Sequence, residues 1–173
     1  MSSTLAEQQQ ADPRRPRPPL ADERTTLISF LQWHRLTLEH KCRGLTVDQL
    51  ARRSVERSAL SLLGLVRHCA DGERFWFRHV MAGQYAPPLF AAAFDFSDAT
   101  DDTADEAWQA WRTEIAFAES LVAEAADLDV IGQEPGAGPV SLRWVLMHMI
   151  EEYARHNGHA DLLREQVDGS VGL

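Results

Sequence analysis

His148, Glu152, His156 and His159 fall at i, i+4, i+8 and i+11, a single stripe of a helix with 3.6 residues per turn. Leu142, Val145 and Met149 upstream and Leu163 downstream continue that stripe, so it is expected to point into a core. A carboxylate and several imidazoles placed there must be paired, neutralised or metal-bound, because burying a bare charge is costly. Residues four apart lie about 6 Å along the axis and can share an ion, whereas residues eight apart, at about 12 Å, cannot easily do so. One helix therefore offers two ligands, and a third must come from elsewhere. His68, on the inner face of another helix with Gly64 one turn before it, is the best donor. Two imidazoles and one carboxylate suit Zn²⁺, Ni²⁺ or Fe²⁺, with a position left for water or substrate. The same residues also read as a buried hydrogen-bond network, and spacing leaves both readings open.

Rival chemistries find no motif. HExxH, Glu-x-x-His, a P-loop, G-x-G-x-x-G and G-x-S-x-G are all absent. Asp98, Asp101, Asp102 and Asp105 lack the alternation and glycine of an EF-hand and read as an acidic helix start. Lys41 is the single lysine among 17 cations, which leaves little for lysine-based covalent chemistry. Cys69 follows His68 and so points about 100° away from it, into core packing. Cys42 near a helix end reads as structural or as a surface thiol. The five tryptophans sit at helical spacing and read as core rather than as a stacking surface.

The elements that must position these groups follow from caps and periodicity. A first helix runs from Asp22, its N-cap, to Gly44, with Leu27, Phe30, Leu31, His34 and Leu38 on one stripe. Thr46 to Gln49 has the spacing of a capping box and opens a short helix. A second long helix spans Leu60 to Met81, and a loop with Pro87, Pro88 and a Phe/Ala patch follows to Asp102. Thr103 to Glu106 is a second capping box, expected to open a helix to Ala126. Gly132 to Pro139 reads as a loop, Gly136 to Gly138 as a helix-initiating turn, and Ser141 caps a last helix that stops at Gly169. No stretch reads as an alternating strand. The expected fold is all-α, a four-helix bundle over 21–173, preceded by a Pro/Arg-rich tail over 1–20 that is expected to be disordered and solvated.

With 173 residues, 45% of them apolar, the chain can bury a core, and its net charge of −9 excludes a general nucleic-acid binder. Two cysteines are too few for a disulfide scaffold or a Cys-only zinc site. No apolar run reaches the roughly 20 residues of a membrane helix, and the N-terminus has no apolar signal core. A reducing, cytoplasmic setting without membrane or nucleic-acid partners is expected.

The block SLRWVLMHMIEEYARHNGHADLLREQVDG, Ser141 to Gly169, resembles the last helix of the DinB-like superfamily, and SLLGLVRHCADGERFWF, Ser61 to Phe77, resembles its second helix. The likeness covers about residues 20–170. It is strongest to the actinobacterial-type branch, which is similar to the metal-binding domain of mycothiol-dependent maleylpyruvate isomerase and to bacterial thiol transferases. The resemblance implies a four-helix bundle with one histidine ligand on the second helix and His-x-x-x-His on the last. His-Asn-Gly-His at 156–159 matches the family's His-Arg-Gly-Gln pattern and makes His156 the final ligand. Glu152 stands where many members have histidine, a departure shared with the isomerase branch. The implied triad is His68, Glu152 and His156, holding a divalent metal, Zn first and Ni or Fe otherwise.

The resemblance further implies a homodimer and a metal-dependent transferase acting on a small thiol (mycothiol or bacillithiol) and an electrophile, or a hydrolase-like enzyme. The isomerase carries a C-terminal domain after its bundle; this chain stops at Leu173, so maleylpyruvate isomerisation itself is not expected. His34, His148, Arg155 and His159 are candidates to support the ligands or contact substrate. Two rivals accompany the enzyme reading: a non-catalytic stress-response or interaction module that keeps the metal for stability, and a metal-free ligand-binding bundle.

Overall fold

The computed structural model describes Asp12, residues 14–90 and residues 101–171, the side chains of Asp101 and Asp102 excepted. Part of the expected tail and most of the Phe/Ala patch lie outside the described residues. Helix α1 (Glu23–Cys42) starts where the Asp22 carboxylate accepts the Thr25 N–H. Helix α2 (Val47–Ala51) carries the full capping box between Thr46 and Gln49. Helix α3 (Leu62–Glu73) begins at Ser61, whose hydroxyl accepts the Gly64 N–H.

Without a break, α3 continues as a π-helical stretch over Arg74–Met81, where the Ala82 N–H reaches back five residues to the Phe77 carbonyl. Nothing in the residue periodicity marks this change of winding. Helix α4 (Asp101–Glu124) begins two residues ahead of Thr103, so the expected capping box lies inside its first turns rather than at its start. Helix α5 (Leu142–Asp168) opens on the Ser141 cap and closes on Gly169 at φ +79°.

The expectation of no strands is corrected by a small antiparallel hairpin, β1 (Ile131–Glu134) and β2 (Gly138–Ser141). Each strand has four residues and Pro139 interrupts the second, so no alternation long enough to read exists. Gly136 and Gly138, at φ +87° and +104°, form the turn of this hairpin and do not initiate a helix. Gly132 fits the hairpin to the end of the π-helical stretch, because a Cβ there would meet the Val80 carbonyl oxygen at 2.6 Å.

Helix α1 packs along α5, α3 packs along α4, and α3 also packs against α5, which makes an all-α four-helix bundle. Leu31, Leu38, Leu63, Leu65, Phe77, Val145 and Met149 fill its centre. One polar network crosses that centre and joins all four long helices. Arg35 of α1 donates two hydrogen bonds of 2.7 Å to the fully buried Glu73 of α3, and Tyr153 of α5 donates to the same carboxylate at 2.8 Å. Trp111 of α4 in turn donates to the Tyr153 oxygen at 2.7 Å.

At the surface, Phe30 does not join its expected core stripe. It is exposed beneath Arg17, whose guanidinium lies 4.6 Å from that ring and 4.5 Å from the Trp33 ring. Arg14 also stacks over Trp33, and its side chain is only 4% exposed. The described part of the tail therefore lies against α1 through cation–π contacts instead of being simply solvated.

Candidate metal centre

Helices α3 and α5 run antiparallel, and their contacts repeat along one seam. His68 meets Glu152 and His156; two turns further, Trp76 meets Trp144 and His148. The i, i+4 spacing on α5 aims Glu152 and His156 at the same point, and the Leu62–Leu65 turn of α3, anchored in the core, holds His68 opposite them.

One ligand atom from each of His68, Glu152 and His156 lies within 4.8 Å of the other two. Nε2 of His156 is 3.5 Å from Glu152 Oε2, and Nε2 of His68 is 3.7 Å from that same oxygen. These separations exceed a well-formed N–H···O bond. They are close to the roughly 3.3–3.5 Å that separates donors bound at about 2.0–2.1 Å to one tetrahedral ion.

The electrostatics agree with this geometry. Burial lowers the His68 pKa, with a partial opposing pull from Glu152. Burial, with His68 adding to it, lowers that of His156 to about 4 against the same opposing carboxylate. Both rings are therefore neutral near pH 7, the state in which imidazole ligates a metal. Arg155 donates to Glu152 Oε1, which leaves Oε2 to face the two imidazoles. Nδ1 of His156 lies 3.3 Å from Nδ1 of His159, so the ring that turns Nε2 inward is supported from behind. Together His68, Glu152 and His156 could hold a divalent ion with at least one position left for a further ligand.

The other sequence candidates fall into different places. Arg155 and His159 touch the triad. His148 is one turn before Glu152 and stacks at 8° on Trp144, with Trp76 at 4.7 Å. His34 lies on the α1–α5 seam, where Asn157 donates to its carbonyl oxygen at 3.0 Å. Asn157 neighbours His156 in sequence but points about 100° away on the helix, so His34 approaches α5 from its α1 side.

Cys69 and Cys42 are both buried, and burial raises both thiols, Cys42 to about 12, so neither is a nucleophile at neutral pH. This corrects the surface option for Cys42. The reading of all tryptophans as core is corrected too, because Trp144 is 45% exposed. Its i, i+4 spacing to His148 was a signal in the sequence; the partnership of Glu73, Arg35 and Tyr153 had none.

No helix among the described residues is long and apolar enough to cross a membrane. A family model described as MST, mycothiol-S-transferase, matches residues 26–169, from the first turn of α1 to the C-cap of α5. No curated protein matches the chain.

Proposed function

Because this chain belongs to the mycothiol-S-transferase family, we propose that it is a metal-dependent transferase that delivers the sulfur of a small thiol (mycothiol, or a chemically similar thiol such as bacillithiol) to an electrophile. The observation that carries this reading is the convergence of His68 Nε2, His156 Nε2 and Glu152 Oε2 on one point. A divalent ion, Zn²⁺ ahead of Ni²⁺ or Fe²⁺, would supply Lewis acidity there, lowering the pKa of a thiol or water in its open position.

The chain's own residues do the rest. His68 and His156 stay neutral and keep their Nε2 lone pairs directed inward. Glu152 contributes one negative charge, and Arg155 holds the oxygen that does not face the imidazoles. With Nε2 of His156 turned to the ion, its Nδ1–H would donate to Nδ1 of His159, 3.3 Å away, which would hold that tautomer. The half-buried imidazoles of His148 and His159, on the same stripe, are placed to contact substrate. A cytoplasmic homodimer completes the reading.

Metal analysis and turnover, measured on the protein and on His156→Ala, test it. About one ion per chain with thiol transfer to an electrophile, both lost in the variant, is the expected result. An ion whose loss lowers only the melting temperature, with no transfer to any electrophile, would favour a metal-stabilised interaction module. No bound ion at all would remove the reading.

A further inference from the structure

The α3–α5 seam carries two functional rungs with a gap between them. The first is His68 against Glu152 and His156. The second, eight residues on along α3 and eight back along α5, is Trp76 against Trp144 and His148, with ring centroids 5.1 and 4.7 Å apart. Between them, four residues from each, stands Gly72, where an added Cβ would meet only the Met149 methyl, at 3.9 Å. The rungs are thus about 12 Å apart along the helix axis, and the missing side chain leaves the intervening floor low.

The π-helical winding contributes to this alignment. In an unbroken α-helix Trp76 would sit about 80° round from His68. A π turn takes more than 3.6 residues, so each residue from Arg74 onward advances less, and Trp76 rotates back toward α5. Trp144, stacked on His148, keeps 45% of its surface exposed, and Phe75 and Met147 beside the rung are exposed too. Trp76 itself is buried and backs the rung from the core, so the surface left for a flat π system beside the candidate ligand cluster is Trp144 with its stacked, half-buried His148.

We propose that Trp144 and His148, backed by the buried Trp76, form the electrophile subsite, and that it selects planar aromatic electrophiles, which lie over Gly72 with their reactive carbon toward the His68–Glu152–His156 rung. This assignment rests on the transferase reading. For an aryl chloride, the thiol S–H proton passes to solvent and an S–C bond forms at the ring carbon. Chloride then leaves with the C–Cl electron pair.

The test compares 1-chloro-2,4-dinitrobenzene with chloroacetamide, a small electrophile without a ring, on zinc-loaded protein with mycothiol. In Trp144→Ala the ratio of the two kcat/KM values is expected to fall about five- to tenfold, through KM for the aryl chloride, with recovery in Trp144→Phe. Calorimetric titration with unreactive 1,3-dinitrobenzene is expected to weaken by a similar factor in Trp144→Ala, with or without zinc. An unchanged ratio with unchanged dinitrobenzene affinity overturns the subsite and leaves the transferase reading standing. If the wild-type protein turns over neither electrophile, the transferase reading fails. The dinitrobenzene titration then decides the aromatic site alone: a weaker Kd in Trp144→Ala supports it, and an unchanged Kd overturns it.

Discussion

His156 has its ionisation pushed down to about 4 from an ordinary 6.5 by burial first and by His68 second. A histidine with a depressed native pKa binds fewer protons folded than unfolded between those two values, so stability there rises with pH. The metal-free protein should keep this contribution above about pH 6.5 and lose it progressively as pH falls toward about 4, with His68 acting in the same direction. Urea midpoints of the metal-free protein measured across that window check it, and the slope should flatten in His156→Ala. Arg155 acts on the site through the Glu152 oxygen it holds. Arg155→Ala frees that carboxylate to rotate, and zinc affinity measured by competition with a chelating dye should fall roughly tenfold or more.

Each long helix contributes one member of the Arg35–Glu73–Tyr153–Trp111 network, so these side chains set the register between helices. Glu73→Ala takes both short hydrogen bonds from the buried Arg35 guanidinium, leaving it the more exposed Glu119 carboxylate 3.7 Å away, and should lower unfolding free energy by about 3–5 kcal/mol, read by urea denaturation. Tyr153→Phe removes only hydroxyl bonds and should lower it by about 1–2 kcal/mol. The hairpin depends on one close approach: Gly132→Ala drives a methyl group into the Val80 carbonyl and should destabilise the protein by about 1–3 kcal/mol, seen as a lower Tm. None of these partnerships has a periodic signature. Arg35 and Glu73 are 38 residues apart and Tyr153 is 80 beyond Glu73, and only the docking of α1, α3 and α5 brings them together.

At the scale of the molecule, buried apolar side chains run from α1 to α5 around the Glu73 network, so folding is expected to survive without an ion at the α3–α5 edge. Chelation should leave the helical circular dichroism intact. It should lower Tm by about 5–10 °C, the equivalent of roughly 2.7 kcal/mol for a ligand present at a hundred times its Kd. Four long helices, the caps at Asp22, Thr46, Ser141 and Gly169 and the stripe from His148 to His159 were legible in the residues, because capping and a 3.6-residue period are local physics acting within a few positions. His68 was already the best third donor from its place on an inner helix face, and the family resemblance reached the same residue. That it faces Glu152 and His156 was decided by the packing of α3 on α5, since spacing along one chain does not say which helix faces which. The tertiary structure alone decided the π winding after Glu73, the rung of Trp76 on Trp144 and His148, and the buried Glu73 network. The last two arise from side chains far apart in sequence that become neighbours only when whole helices pack, and no local period encodes that choice.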